Sequence, residues 1–380
     1  MGKRIVCAVM TAALLLGLTP AVSALEVAAP SAILMDAATG TVLWENNAHE
    51  KMAPASVTKI MTLLLVMEAL DSGRISWDDT VAASEAAAAK GGSQVYLEAG
   101  EQMSMDEMLK SVVVASANDC ATALAEHVAG SEALFVERMN ERARELGMQD
   151  THFVNCTGLD DDPDAAEHLT SAYDIALMSR ALLRHEAIRN YTTIWMDTVR
   201  DGQFGLSNTN KLVRFYEGTT GLKTGYTSGA GHCLSASAQR DGMELIAVVL
   251  GCDSSTSRFE SAKALLDYGF ANYALVEVTA QTLEPVQVEL GTQAQVTPML
   301  ADPTPLLVDK GLQGSVTQEV KLEPSVTAPV ESGQQLGNLV IQAQGQELAK
   351  IPLVASETVS RQTLGEIFYR ILRHLCMCGD

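Results

Sequence analysis

Ser56 and Lys59 lie three residues apart in an S-x-x-K motif that precedes a strongly apolar run. Residues at this spacing share one face of a helix, so the hydroxyl and the amine would meet one turn apart. A serine hydroxyl needs a base before it attacks a carbonyl, and a desolvated lysine amine can be that base once its pKa falls. The motif therefore predicts a serine nucleophile activated by a buried, uncharged lysine.

Two further motifs carry groups that can bind and protonate a substrate. In S-A-N, the Ser116 hydroxyl can pass a proton to a leaving amine, and the Asn118 amide can hold a substrate amide because it both donates and accepts. In K-T-G, Lys223 and Thr224 offer a cation and a hydroxyl to a carboxylate, while Gly225 lets substrate lie close to the strand backbone. Each motif alone also fits ordinary surface or helix-cap residues, so only their combination is informative.

The three motifs follow one another in the order that β-lactamases and penicillin-binding proteins share. On these residues the chain resembles the low-molecular-mass penicillin-binding proteins, which are serine D-alanyl-D-alanine carboxypeptidases. The likeness runs from Leu25 to the C-terminus. The segments that carry it are Pro54–Thr62, Ser116–Asp119, Thr151–Phe153, Gly158–Asp160, Gly221–Thr227, Ala328–Val330 and Gly333-Gln334.

The resemblance implies an acyl-enzyme mechanism on peptidoglycan. Ser56 would attack the carbonyl between the two terminal D-alanines of a stem peptide while Lys59 takes its proton. The oxyanion would lie between the N–H groups of Ser56 and Tyr226. Water would then hydrolyse the acyl-enzyme without a metal or other cofactor, and β-lactam antibiotics would acylate the same serine.

The resemblance also implies how the substrate is held. Ser116, in contact with both motif lysines, would protonate the leaving D-alanine, and Asn118 would bind the stem-peptide amide. Thr224 and Arg258, on the helix after the last strands, would bind the free carboxylate. Many relatives carry His where this chain has Tyr226, and only the backbone N–H of that residue is expected to matter.

The order of elements predicts an α+β fold. Two early and three late strands enclose a helical stretch, so both ends of the region can contribute to one antiparallel sheet. The resemblance implies a β-lactamase/transpeptidase-like domain, an antiparallel sheet flanked by a helical cluster. The predicted strands are 31–36, 41–44, 221–226, 233–238 and 244–250. The predicted helices are 57–70, 105–114, 118–128, 132–146, 171–183 and 257–268.

Changes in composition divide the chain into four segments. Residues 1–24 are predicted to be a signal peptide, and residues 25–272 the carboxypeptidase domain. Short alternating runs punctuated by Gly and Pro predict a small all-β domain over residues 273–356. Residues 357–380 are predicted to form a C-terminal amphipathic helix.

The N-terminus predicts export. Lys3 and Arg4 precede an apolar stretch over residues 5–18, and the small residues of Val22-Ser23-Ala24 suit cleavage. A membrane-spanning helix is the alternative, but it would need about 20 apolar residues. The protein is therefore expected at the outer face of the cytoplasmic membrane or in the cell wall.

The C-terminal segment predicts attachment to a membrane surface. Its apolar residues recur at helical spacing and its basic residues lie elsewhere on the helix, which is typical of an interfacial anchor. The alternative is a terminal helix packed on its own domain. The apolar residues are Leu364, Ile367, Phe368, Ile371, Leu372 and Leu375, and the basic ones are Arg361, Arg370, Arg373 and His374. Cys376 and Cys378 lie at the end of this segment, and the sequence assigns them no role.

The formal net charge is −21, which makes nucleic acid an unfavourable partner because its phosphates would be repelled. Cys120 and Cys156 are interpreted as small core residues. Cys233 and Cys252 flank a predicted hairpin that turns at Asp241-Gly242, so either a disulfide or two free thiols is possible.

Two rival functions share parts of this pattern. A class A β-lactamase also uses a loop Glu in an E-x-x-N context, which Glu167 and Glu186 lack, and it needs neither a β domain nor an anchor. A non-enzymatic wall-binding scaffold is disfavoured because all three motifs are intact. The sequence leaves open whether water or an amine accepts the acyl group.

Overall fold

The computed structural model describes residues 25–161, 163–279 and 283–376. The predicted signal peptide and Cys378 therefore lie outside the described residues. Up to residue 276 the strands are β1 (Ser31–Asp36), β2 (Val42–Asn46), β3 (Thr80–Ala82), β4 (Gln102–Ser104), β5 (Met196–Val199), β6 (Phe204–Ser207), β7 (Thr219–Thr227), β8 (Gly231–Arg240), β9 (Met243–Cys252) and β10 (Tyr273–Val276). The helices of this part are α1 (Lys59–Asp71), α2 (Glu85–Ala88), α3 (Met105–Val114), α4 (Asn118–Ala129), α5 (Glu132–Glu145), α6 (Ala172–Leu183), α7 (Arg189–Thr192), α8 (Leu212–Phe215) and α9 (Ser255–Asn272).

The main sheet has five antiparallel strands in the order β2-β1-β9-β8-β7. Early and late strands therefore share one sheet, as predicted. Strand β9 pairs with β1 on one side and β8 on the other, and its nearly continuous apolar run is buried on both faces. The β8–β9 hairpin turns at Asp241-Gly242, where both residues have positive φ (+50° and +80°), as a primed two-residue turn requires.

Side chains of the central strands alternate between two cores, as the period of two in a strand dictates. Ile33 and Met35 of β1 pack with the helical cluster, while Ala32 and Leu34 pack with α9 on the opposite face. Helix α1 lies within the helical cluster, and every residue of it except Glu68 is buried up to Leu70. A helix that is apolar all round needs such a position, which explains the long apolar run after the S-x-x-K motif.

The predicted helix over 57–70 differs at its start. Residues Ala55–Thr58 form a 3-10 turn, and the α-helix begins only at Lys59. Ala55 has a φ of +48°, a left-handed conformation that bends the chain sharply before the helix. The turn leaves Ser56 partly exposed at the edge of the helical cluster instead of inside it.

The thiols of Cys233 and Cys252 are free, as are those of Cys120 and Cys156. Cys233 packs in the core on the helical side of the sheet, and Cys252 packs in the core beneath α9. The disulfide considered from the sequence is therefore not formed, because the two side chains point to opposite faces.

The C-terminal part is built of short strands around separate apolar clusters that include Val286, Val330, Leu339 and Leu353. A four-stranded antiparallel sheet has the order β13-β18-β17-β15, and β11 joins β12 and β16. The strands are β11 (Val286–Glu289), β12 (Gln295–Val296), β13 (Pro298–Leu300), β14 (Leu306–Asp309), β15 (Val316–Leu322), β16 (Ser325–Thr327), β17 (Gln335–Ala343) and β18 (Gln346–Ala355).

Helix α10 (Leu364–Cys376) ends the described chain. The Thr363 hydroxyl accepts from the N–H of Glu366 (3.3 Å), and the Glu366 carboxylate accepts from the N–H of Thr363 (2.7 Å). This reciprocal capping defines the helix start. Leu364, Phe368, Ile371 and Leu372 remain exposed, at 87%, 64%, 52% and 41%, so these apolar side chains are not packed on the β strands. Among the described residues, no helix has the length and apolarity needed to cross a membrane.

Candidate active site

The predicted nucleophile and base lie in hydrogen-bonding contact. The Nζ atom of Lys59 is 2.9 Å from the Oγ atom of Ser56, because the 3-10 turn places Ser56 directly above the first residue of α1. Ser56 is half-buried and Lys59 is completely buried. The amine is therefore shielded from water while the hydroxyl remains accessible.

Two acceptors fix the orientation of the Lys59 amine. Its Nζ atom donates to Oδ1 of Asn118 (2.5 Å) and to the backbone carbonyl of Thr157 (2.8 Å). Neither oxygen can donate, so in the neutral amine the two N–H bonds point at them and the lone pair is left for the hydroxyl proton of Ser56. Burial lowers the pKa of Lys59 from 10.5 to about 7, although the charges of Cys156 and Asp119 oppose the shift. An uncharged amine is therefore available near neutral pH.

The S-A-N motif connects two helices at the cleft wall. Ser116 has a φ of +64° in the turn between α3 and α4, and Asn118 is the first residue of α4. The Asn118 side chain donates from Nδ2 to the carbonyl of Gly91 (2.7 Å) while Oδ1 accepts from Lys59. Within the described chain, no hydrogen bond joins the Ser116 hydroxyl to Lys59 or Lys223, so the expected contact with the two lysines stays a prediction.

Strand β7 lies at the edge of the main sheet and carries the K-T-G motif. It faces the 3-10 turn Ala55–Thr58, the nucleophile turn, which carries Ser56. A Cβ added to Gly225 would lie 2.7 Å from the carbonyl oxygen of Pro54 and 3.1 Å from the backbone nitrogen of Ser56. The glycine is therefore required by the close packing of β7 on the nucleophile turn. The interpretation from the sequence, that Gly225 lets substrate lie close to the strand, stays a prediction, and Gly225 also lines the cleft.

Lys223 lies behind the cleft and is buried. Its Nζ atom donates to the carbonyl of Thr224 (2.9 Å). Burial lowers the pKa of Lys223 well below its ordinary value, and the charges of Lys59 and Arg258 lower it further. The fixed cation expected at this position stays a prediction, and the charge of an anion bound in the cleft would raise the pKa of Lys223 again.

Arg258 reaches the cleft from the first turn of α9. One guanidinium nitrogen donates to the carbonyls of Gly225 (3.0 Å) and Cys233 (3.3 Å), and another donates to the Ser255 hydroxyl (3.3 Å). Its Nε atom is buried without a hydrogen-bond partner in the described structure. A buried donor without a partner costs free energy, so Arg258 has capacity for an incoming carboxylate.

These side chains border a cleft of about 300 Å³. Ser56, Ser116, Thr224, Gly225, Tyr226 and Arg258 line it as predicted, and Lys59, Asn118 and Lys223 lie behind them. Sequence reasoning missed three lining residues, which are Ser93, Thr209 and His232.

Each missed residue is held at the cleft by a contact with another segment, and the residues beside it in the sequence do not reveal that contact. The carbonyl of Ser93 accepts from the N–H of Asn118 (2.7 Å), and the Thr209 hydroxyl accepts from Thr224 (2.6 Å). His232 lies opposite Tyr226 in the β7–β8 register, and the two rings stack with centroids 4.4 Å apart. The hairpin register was the one available signal, and it would have identified His232.

The loop that contains Gly158 packs against the nucleophile turn. Gly158 has a φ of +81°, and a Cβ there would lie 1.8 Å from the carbonyl oxygen of Ala55. The Thr58 hydroxyl donates to that same carbonyl (2.8 Å) and lies 2.8 Å from Nε2 of His168. Since Nδ1 of His168 accepts from the N–H of Val154 (3.1 Å), Nε2 is the protonated nitrogen and donates to Thr58. These contacts hold the backbone that carries the serine.

We predict that Gly225→Ala lowers kcat/KM by about 100-fold, because the new methyl group must displace the Ser56 turn and small misplacements of reacting groups are costly. The free energy of unfolding should fall by about 1–3 kcal/mol. Gly229→Ala is the matched control, since its nearest non-neighbouring heavy atom would be 3.8 Å away. Steady-state kinetics and thermal unfolding of both variants test this, and equal activity of the two would contradict the packing argument.

Comparison with known proteins agrees with this geometry. Residues 19–254 match the family model described as D-alanyl-D-alanine carboxypeptidase. The chain belongs to this family. Residues 275–361 match a second model, described as the C-terminal domain of penicillin-binding protein 5. The predicted serine-type carboxypeptidase of the penicillin-binding kind is confirmed, and its reaction is the hydrolysis of D-alanyl-D-alanine ends of peptidoglycan peptides.

Curated relatives are similar over nearly the whole chain. D-alanyl-D-alanine carboxypeptidase DacF of Bacillus subtilis is 43% identical over 339 residues, which cover 88% of this chain and 86% of the relative. D-alanyl-D-alanine carboxypeptidase DacD of Escherichia coli is 33% identical over 367 residues, covering 91% and 90%. A class A β-lactamase would not account for the match over the C-terminal β strands.

Solved structures have the same fold. Penicillin-binding protein 5 of Haemophilus influenzae has a TM-score of 0.77 at 30% identity, covering 91% of this chain and all of that one. Penicillin-binding protein 6B of Escherichia coli has a TM-score of 0.71 at 32% identity, covering 87% and 96%. Penicillin-binding protein D2 of Listeria monocytogenes, solved in its ampicillin-bound form, has a TM-score of 0.59 at 31% identity, covering 64% and 98%.

Proposed function

We propose that this protein is exported and removes the terminal D-alanine from peptidoglycan stem pentapeptides through an acyl-enzyme on Ser56. The observation that carries the proposal is the geometry of Lys59. Its amine contacts the Ser56 hydroxyl at 2.9 Å, is oriented by two acceptor oxygens and has a pKa lowered to about 7. A lysine arranged in this way is a general base and not a surface cation.

In the proposed acylation step, Lys59 takes the hydroxyl proton while Ser56 Oγ bonds to the carbonyl carbon between the D-alanines. The developing oxyanion accepts from the N–H groups of Ser56 and Tyr226. The close approach of Gly225 to the backbone nitrogen of Ser56 supports this pair, because it brings the end of β7 beside the nucleophile. The scissile bond then breaks and D-alanine leaves with a proton.

The substrate groups on either side of the scissile bond are proposed to bind at opposite ends of the cleft. Arg258 and Thr224 hold the terminal carboxylate, whose charge also raises the pKa of Lys223. Asn118 retains one Nδ2 hydrogen for the stem-peptide carbonyl, since it donates the other to Gly91. Ser116 delivers the proton to the leaving amine once substrate orders its hydroxyl. Water completes the cycle by hydrolysing the ester.

β-Lactams are proposed to acylate the same serine, because their ring carbonyl and carboxylate present the two groups that the cleft binds. The ampicillin-bound form of the Listeria relative supports this proposal.

The decisive experiment incubates the protein with diacetyl-L-Lys-D-Ala-D-Ala and, separately, with labelled penicillin. Release of D-alanine and one covalent label per chain are expected. The absence of both would overturn the proposal, and a dimeric peptide product would show that an amine competes with water.

We further propose that α10 attaches the protein to the outer face of the cytoplasmic membrane. Its exposed apolar residues have no partner among the described β strands, and basic residues flank them in the sequence. Such a helix lies in the interface with its apolar face among the acyl chains and its basic groups near anionic headgroups. The predicted leader at residues 1–24 is consistent with this location.

We predict that Phe368→Glu lowers binding to vesicles of phosphatidylglycerol and phosphatidylcholine at least about 10-fold, because the apolar face loses a large side chain and gains a charge. Met299→Glu, at an exposed apolar residue of β13, is the matched control and should bind as the unaltered protein does. Co-sedimentation measures both. Equal binding of the two variants, with D-alanine release intact, would overturn the anchor and leave the enzymatic proposal standing.

A further inference from the structure

A loop over residues 91–97 forms the wall of the cleft beside Asn118. The Nδ2 atom of Asn118 donates to the carbonyl of Gly91, and its backbone N–H donates to the carbonyl of Ser93, both at 2.7 Å. Ser93 lines the cleft, so the loop is continuous with the active site. Three residues beyond Ser93, the loop presents the side chain of Tyr96 to solvent, 69% exposed.

The backbone on both sides of Tyr96 is fixed. Val95 and Leu97 are buried, and their N–H groups donate to the buried carboxylate of Asp119 at 3.1 Å and 3.0 Å. Arg200, in the turn between β5 and β6, donates to the carbonyls of Val95 (2.7 Å) and Tyr96 (3.2 Å). An exposed side chain is therefore mounted on an immobilised backbone, which is the arrangement expected of a preorganised binding group.

The conformation of Tyr96 is unfavourable for a large side chain. Its φ is +60°, where Gly or Asn would be the ordinary choice. Folding does not require the ring, since it is mostly exposed. Its nearest ring is the half-buried Phe204 on β6, with centroids 6.4 Å apart, and the guanidinium of Arg200 lies 5.6 Å from the Phe204 centroid. Together Tyr96 and Phe204 form a small aromatic surface at the cleft wall.

The loop that carries Tyr96 borders the cleft at Ser93. In the proposed function the terminal carboxylate is bound at Arg258, so the remaining peptide runs past Asn118 toward the 91–97 loop. Three residues precede the D-Ala-D-Ala end of a pentapeptide, and they span at most about 11 Å. Tyr96 lies three residues from Ser93, a separation of at most about 11 Å along the loop. The two spans are of the same order, so a peptide that follows the loop from Ser93 would bring its sugar within reach of Tyr96.

We propose that Tyr96, supported by Phe204, binds a pyranose ring of the glycan to which the stem peptide is attached. An aromatic face can stack on the apolar C–H face of a sugar, and the tyrosine hydroxyl can reach a sugar hydroxyl. This inference rests on the proposed function and adds to it that the preferred substrate is a glycan-linked pentapeptide. The free peptide lacks the group that Tyr96 contacts.

The test compares three substrates, which are diacetyl-L-Lys-D-Ala-D-Ala, the free pentapeptide and the disaccharide pentapeptide. Tyr96→Ala is expected to raise KM for the disaccharide pentapeptide about 3- to 10-fold. Activity on the two sugar-free substrates should stay within about twofold, since neither reaches Tyr96 with a sugar ring. Tyr96→Phe, which keeps the ring, should restore most of the difference.

Phe215→Ala is the matched control, because Phe215 is similarly exposed, at 66%, but lies on α8 and is not among the residues that line the cleft. It should change none of the three KM values. An equal loss on all three substrates, or slower acylation by penicillin, would mean that Tyr96 only shapes the loop and would overturn the proposal. A loss on the free pentapeptide as large as on the glycan-linked one would place peptide and not sugar at Tyr96. Failure of the proposed function itself would appear separately, as no D-alanine release by the unaltered protein.

Discussion

Ser56→Ala is expected to lower kcat/KM for D-alanine release by at least about 10⁴-fold and to abolish covalent labelling by penicillin. The alanine has no oxygen to bond to the carbonyl carbon, so no acyl-enzyme can form. Lys59 would keep its bonds to Asn118 and Thr157, and the fold should be retained. Release of D-alanine and intact-protein mass spectrometry after exposure to penicillin measure the two effects.

Ser72→Ala is the control for this experiment. Ser72 follows the last residue of α1. Among the described residues, its hydroxyl forms hydrogen bonds with nearby groups alone, which are the carbonyls of Glu68 and Ala69 and the side chain of Arg74. The control should retain full activity and labelling. A covalent penicillin adduct that persists in Ser56→Ala, for example on Ser116, would show that the nucleophile has been misassigned.

The rate of acylation by penicillin is expected to fall about 10-fold for each pH unit below 7. The reactive form of Lys59 is the neutral amine, and with a pKa of about 7 roughly one chain in a hundred carries it at pH 5. Acylation at pH 5 should therefore be about 100-fold slower than on the plateau above pH 8. Stopped-flow acylation across pH 5–9 measures the acid limb directly.

Lys59→Arg removes this base and places a permanent cation at the position. A guanidinium does not deprotonate at these pH values, so the variant should lose about 10³-fold in acylation rate, and the acid limb near pH 7 should disappear. Lys110→Arg, at a partly exposed lysine paired with Asp106 and Asp197, should leave the profile unchanged. An acid limb that persists unshifted in Lys59→Arg would assign the titration to another group, with Lys223 the first candidate.

The local elements were predictable because their signals are contained in short stretches of chain. Helix α3 and strand β1 have the predicted bounds, and the β8–β9 turn occurs at the predicted Asp241-Gly242 pair. Their apolar periods and turn residues are properties of neighbouring positions. The helix after the S-x-x-K motif was misjudged at its start because the left-handed Ala55 depends on packing against Gly158, far along the chain.

The reasons behind the site residues were less predictable than the residues themselves. Gly225 was assigned to substrate access, and the structure adds that a Cβ there would lie 2.7 Å from the carbonyl oxygen of Pro54. Lys223 was assigned as a fixed cation, and the structure adds that its burial lowers its pKa. Gly225 and Pro54 are separated by well over a hundred residues in the sequence, so no local pattern could reveal their contact.

The sequence by itself determined the chemistry available to this protein. Three spaced motifs, a helical and strand pattern and a family resemblance identified a serine, a lysine base and a carboxylate-binding strand. Only the tertiary structure decided the orientation of the Lys59 amine and the identity of the remaining cleft-lining residues. It also decided that Tyr96 is exposed on a fixed backbone. The physical reason is that a lone pair is oriented by its partners, and Asn118 and Thr157 reach Lys59 only when separate loops and helices pack together. Local pattern specifies the groups, whereas long-range packing specifies their directions and their pKa values.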